Sequence, residues 1–212
     1  MVINLGKKTN SIKYISHFST NTYLNKNDDA YMVSTERKDA LSLSVTFNQI
    51  RNSINILIEM MEEIEMKAGA KEEDIIKRLR TMGKNVAKSF VKYWSPQKAG
   101  TDEMLFSIYS VILGSSVIIE EPADKRTTLK DFRGKKVYDV IDNKCPMCKR
   151  VKDTNISGCE IVLGLVEGIF EELHVLYPEK DVPLLKAEEV SETKTRGDKQ
   201  CKHRYVLQRI NG

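Results

Sequence analysis

The stretch NKCPMCKRVKDTNISGCEIVLGLVEGIFEELHVLY, residues 143–177, holds three of the chain's four cysteines and runs straight into its most apolar helical pattern. Cys145 and Cys148 form a CPMC knuckle, a spacing that lets two thiolates in one tight turn face a single ion, as tetrahedral zinc sites require. Cys159 opens the helical pattern, and Cys201 lies in GDKQCKHRY, residues 197–205, while residues 1–144 contain no cysteine. A four-thiolate zinc site that joins a turn, a helix start and a C-terminal strand is the simplest reason for that distribution. His203 would share a face with Cys201 on an extended chain, because side chains alternate with a period of two. It is therefore a substitute ligand or a group just outside the site. The alternatives are four reduced thiols buried as small hydrophobes, or a disulfide, which fits poorly with a chain that carries no mark of secretion.

Working outward, Gly164 and Gly168 are four residues apart and so lie on one face of the helix over 157–177. Each glycine costs a helix about 1 kcal/mol, which close packing on another element would offset. Upstream, KEEDIIKRLRTMGKNVAKSFVKYW, residues 71–94, reads as an amphipathic helix with an acidic first turn suited to the helix dipole. Its Gly83 and Ala87 mark a second place where a backbone can come close. A further helix starts at Thr101 or Asp102 and runs to Gly114. VIIEE and GKKVYDVID read as strands, the latter delivering the chain to Cys145, and KAEEVSETKT, RGDKQ and CKHRYVLQRI read as strand, turn and strand of a closing hairpin.

At the N-terminal end, weak alternation around Ile12, Tyr14 and Ser16, and later Tyr31 and Val33, suggests a hairpin or an edge extension. A helix capped by Ser34 or Thr35 continues to about Lys67, with an apolar stripe at Leu43, Phe47, Ile50, Ile54, Leu57, Ile58, Met61 and Ile64. A stripe of that length either spans its own domain or packs partly on a symmetry mate, giving a homodimer. The expected organisation is an extension over 1–35 and one domain over 36–212, helical in 36–114 and sheet-forming and cysteine-bearing in 115–212. Helices first and an antiparallel sheet late, with one helix inserted, define an α+β fold.

Composition excludes several classes. The 212 residues are 41% apolar and 30% charged, with a net charge of +4 from 34 basic and 30 acidic residues. That mixed surface makes direct nucleic-acid binding an unsupported expectation, and there is no separate helix-turn-helix region. No secretory leader follows the first lysines. The longest uncharged stretch, residues 104–119, is shorter than the ~20 apolar residues of a membrane span. The expectation is a cytoplasmic protein with no membrane span. No phosphate-cradling glycine loop, serine elbow or HExxH pattern is present, and His17 and His174 stand alone.

The residues now assembled resemble the 4-vinyl-reductase domain, a small-molecule-binding domain of archaeal hydrocarbon-binding-type proteins and of phenol-sensing bacterial activators, related in fold to acyl-holding subunits of the TRAPP tethering complex. The resemblance rests on Cys159, Gly164 and Gly168, on Glu192, and on Gly197, Asp198 and Cys201, with Gly83 and Ala87 upstream; it extends over most of residues 36–210. It implies zinc ligands at Cys159 and Cys201, plus a glutamate and a cysteine on the first strand of the hairpin. Here the position four before Gly197 is Thr193, and the acidic position falls among Glu188, Glu189 and Glu192. The CPMC pair is placed to supply what is missing, so Cys145, Cys148, Cys159 and Cys201 form the expected ligand set. His203 is the substitute or outer donor.

Four thiolates close a zinc shell and leave no position for water or substrate, which points to a structural ion and away from hydrolysis. The resemblance implies that the domain binds or senses a small hydrophobic molecule without catalysis. Candidate walls of the pocket are Phe90, Trp94, Leu105, Ile108, Tyr109, Leu165 and Ile169, any of which also suits plain core. Two other readings remain open: a thiol redox sensor using the CPMC pair, flanked by Lys144, Lys149 and Arg150, and an accessory subunit of a tetrapyrrole reductase, which the family name suggests.

Overall fold

A computed structural model describes residues 11–12, 58, 60–61, 63–65, 67–92, 100–110, 114–115, 117–121, 136–145, 147–148, 156–178 and 181–208. Trp94, His17, Lys149, Arg150, most of the N-terminal helix and all of the expected N-terminal hairpin except residues 11–12 lie outside them. The described positions between 58 and 67 are helical, and the chain breaks at Ala68 and Gly69.

Helix α1 (Glu72–Phe90) begins with Glu72, Glu73 and Asp74, whose charges favour the positive end of the helix, and carries Lys88 in its last turn. Ile75, Leu79, Gly83, Ala87 and Phe90 are its buried positions. They recur at three- and four-residue steps and so form one stripe. Helix α2 (Thr101–Ile108) starts at Gly100, whose N–H donates to Glu103 Oε2 at 3.2 Å. Helix α3 (Cys159–Leu176) is buried on nearly every side over Cys159–Val166 and again at Gly168, Ile169, Phe170 and Leu173. Being apolar all round suits a helix covered on several sides.

The strands are β1 (Ser11–Ile12), β2 (Val117–Glu120), β3 (Val137–Asp142), β4 (Leu185–Glu192) and β5 (Cys201–Leu207). They form one antiparallel sheet in the order β1-β2-β3-β5-β4, with α3 inserted between β3 and β4. The expected mixture of helices and a late antiparallel sheet is thus observed, and the two described residues of the N-terminal region extend its β2 edge. β4 and β5 make the closing hairpin through a 3-10 turn at Lys194–Arg196, and Gly197 follows in the left-handed region at φ 90. That conformation is nearly free for glycine and strained for other residues.

The crossing of α1 and α3 sets the distance between the two helices. A Cβ added at Gly83 would sit 2.2 Å from Ile161 O, one at Gly164 would sit 2.0 Å from Arg80 O, and one at Gly168 would sit 2.8 Å from Ala87 Cβ. The small residues singled out in the two helices therefore meet each other. Two polar clamps flank the contact. Lys84 Nζ lies 2.9 Å from Glu167 Oε1 and 2.8 Å from Glu171 Oε1. Arg80 Nε donates to Glu160 Oε2 at 2.7 Å, while its terminal nitrogens donate to the carbonyls of Ala187 and Glu188 on β4 at 3.2 and 3.0 Å. One guanidinium thus ties α1, α3 and the edge strand together. Burial raises the Glu160 carboxyl above its ordinary range, against the opposing pull of Arg80.

Candidate metal centre

β3 ends at Asp142, which pairs in register with Cys201 at the start of β5. The chain leaving β3 therefore turns beside Cys201. Asp142 Oδ1 accepts the N–H of Lys144 at 2.8 Å, a side-chain turn that tightens this exit. The side chain of Lys194 donates to Asn143 O from the opposite hairpin turn. Gly158 then brings the start of α3 against the knuckle, where an added Cβ would lie 3.0 Å from Met147 O. Cys159 is the first residue of α3 and Cys201 the first of β5.

The consequence is a cluster. All four cysteines are buried, and their Sγ atoms lie within 4.8 Å of one another. Cys148 Sγ is 3.2 Å and Cys145 Sγ 3.6 Å from Cys159 Sγ. Zn–S bonds of about 2.3 Å at tetrahedral angles would space sulfurs about 3.8 Å apart. The four are reduced. This is the one group of metal-ligating side chains among the described residues, and it is the set read from the sequence.

Electrostatics favours a cation. Donation from Cys145, Cys159 and Cys201 and then from Thr193 pulls the Cys148 thiol below its usual range. The other members respond oppositely. The bond to Cys148 pushes Cys145 up, and those to Cys145 and Cys148 push Cys159 up. Without a cation, a buried cluster of sulfurs holds little negative charge because like charges repel in a low dielectric. A divalent ion inverts that balance and lets the remaining thiols ionise. Four soft thiolate donors, with no carboxylate among the grouped side chains, suit zinc in a closed tetrahedral shell.

Thr193 belongs to this site. It is buried, and its Oγ1 lies 3.2 Å from Cys148 Sγ and 4.0 Å from Cys201 Sγ. No local pattern in the sequence announces that contact; the only signal is the place of Thr193, four residues before Gly197. None of Glu188, Glu189 and Glu192 joins the cluster. Glu189 pairs with Arg204 at 3.1 Å, Glu188 with Lys186 at 3.4 Å, and Glu192 accepts from Gln200 at 2.9 Å.

His203 is fully buried on the same face of β5 as Cys201 but is not part of the group within 4.8 Å. Its Nδ1 is 2.6 Å from the Tyr109 hydroxyl, which is 2.7 Å from the Tyr205 hydroxyl. Burial lowers its pKa to about 4, so the ring is neutral at pH 7, and its Nε2 has no hydrogen-bond partner among the described residues. Burial likewise raises both tyrosine hydroxyls well above their usual range. His174 is elsewhere, its Nδ1 2.6 Å from Val182 O near the end of α3.

The candidate pocket walls Phe90, Leu105, Ile108, Tyr109, Leu165 and Ile169 are all buried in one hydrophobic core. An open cleft of about 540 Å³ lies elsewhere, lined by Met61, Asp74, Lys77, Arg78, Thr81 and Met82. No described helix is long and apolar enough to cross a membrane. Comparison with known protein families and with curated proteins gives no match. What fold and site define is an α+β protein with a buried four-cysteine cluster built from a turn, a helix start and a strand start.

Proposed function

We propose that this chain is a cytoplasmic, non-enzymatic binding module for a small hydrophobic molecule, of the 4-vinyl-reductase type, stapled by one structural zinc ion. The observation that carries the zinc is the convergence of four buried sulfurs, within 4.8 Å, from three separate elements. Bound there, zinc would supply a crosslink between the exit of β3, the start of α3 and the start of β5. The closed donor set leaves no position for an activated water, which favours a structural ion. Burial of all four sulfurs also disfavours the thiol-sensor reading, since reactive cysteines are partly exposed.

The ligand half rests on the resemblance through Cys159, Gly164, Gly168, Gly197, Asp198 and Cys201. It is supported by the buried His203–Tyr109–Tyr205 chain set against the apolar core, since such pockets combine apolar walls with a few polar groups. Thermal unfolding with phenols, fatty acyl and isoprenoid compounds tests it. A ligand at a hundred times its Kd stabilises by about 2.7 kcal/mol; no shift with any of the three classes would overturn the ligand reading. A homodimer is part of the proposal, supported by Met60 and Ile64, which are 51% and 61% exposed on the helical segment before α1. A monomer by light scattering would remove it.

A further inference from the structure

Thr193 has its hydrogen bonds assigned by the hairpin turn around it. Its N–H donates to Asp198 Oδ2 at 2.8 Å, and the N–H of Asp198 returns to Thr193 O at 3.2 Å. The N–H of Thr195 donates to Thr193 Oγ1 at 3.2 Å. The hydroxyl thus already serves as an acceptor, and it keeps a single proton to give. With the residue 1% exposed, bulk water does not compete for that proton. Cys148 Sγ at 3.2 Å is the nearer of the two sulfurs around it, Cys201 Sγ being at 4.0 Å.

We infer that Thr193 is a positioning residue of the metal centre, donating its hydroxyl to the Cys148 thiolate so that this sulfur is fixed in the shell and is the last of the four to leave. The inference rests on the four-thiolate reading of the site. A hydrogen bond to a metal-bound thiolate draws charge off the sulfur, lowers its reactivity towards protons and alkylating agents, and holds its direction. The β-branched side chain, stiff at χ1, suits that task. The turn from Thr193 to Asp198 is therefore part of the centre although it supplies none of its four sulfurs.

The test uses the full chain loaded with cobalt(II) in place of zinc, since sulfur-to-cobalt charge transfer reports the electron density on the thiolates. Thr193→Val removes the donor at constant shape. We expect its charge-transfer band to move to lower energy, and metal retention against a chelator to fall about tenfold, as loss of an outer-shell partner typically does. Thr193→Ser should restore both. A Val variant with the wild-type band and wild-type retention, or a Ser variant that behaves like Val, would overturn the inference while leaving the four-thiolate site standing. A wild-type chain that takes up no cobalt would remove the site and the inference with it. Alkylation mapping of the wild-type zinc protein needs no variant. With zinc still bound, Cys148 should be modified more slowly than the other three cysteines, and its modification first would contradict the assignment.

Discussion

The α1–α3 crossing and the cysteine cluster both join segments far apart in the chain, yet they are held by different physics. At the crossing, backbones approach because Gly83, Gly164 and Gly168 lack a Cβ, and the close contact depends on shape, with the Lys84 and Arg80 clamps at its flanks. At the cluster, four sulfurs that repel one another when ionised are brought together, and the contact depends on a cation. The first fails when an atom is added and the second when an ion is removed. α3 takes part in both, with Cys159 at its N-terminus and Gly164 and Gly168 in its middle.

Breaking the cluster should have the largest effect. Cys159→Ser is expected to release the ion and lower the unfolding free energy by more than about 4 kcal/mol, the scale reached when a structural metal is lost. Chelation of the wild-type protein should act locally at first. Amide hydrogen exchange should rise over residues 143–148 and at the start of β5, while the middles of α1 and α3 remain protected. Uniform exchange throughout would show that the two regions are one cooperative unit.

Gly164→Ala attacks the crossing and leaves the sulfurs in place. Its new methyl would lie 2.0 Å from Arg80 O, a backbone atom that moves only with the helix, so a loss of about 3 kcal/mol in chemical denaturation is expected. Metal content should stay at the wild-type value, and its loss would merge the two regions. Arg80→Leu comes next. It leaves the buried Glu160 carboxylate and two β4 carbonyls without their donor, for about 2 kcal/mol. Because Glu160 is already raised by burial, its protonation should recover part of that loss as the pH falls towards 4.5. The smallest change is Gly69→Ala. Gly69 has φ +86 with nothing within 4 Å of an added Cβ, so only left-handed backbone strain opposes it, about 1 kcal/mol. An effect as large as that of Gly164→Ala would show that backbone conformation, not contact, governs these glycines.

Both regions left traces in the sequence, of unequal depth. Gly83, Ala87, Gly164 and Gly168 announced a close approach by their four-residue spacing, because a helix turns that spacing into a face. CPMC with Cys159 and Cys201 announced a common ion, because few other reasons gather every cysteine into two places. The polar contacts that complete each region were not legible. Arg80 looks like any charged residue of an amphipathic helix until α3 and β4 are set around it. His203 is a possible ligand by strand alternation, which gives the correct face; its bond to Tyr109 comes from the residue just after α2, far away in sequence. Phe90, Leu105, Ile108, Tyr109, Leu165 and Ile169 suit plain core more readily than pocket walls, although both uses demand a largely apolar side chain; all six lie in the described core.

The proposed zinc crosslink is the part of the molecule most directly open to measurement. Elemental analysis of protein purified without added metal, with titration of free thiols on the same sample, should give about one zinc per chain and four thiols that react only after chelation, as a closed tetrahedral site requires. A metal-free chain whose four thiols react at once would contradict it.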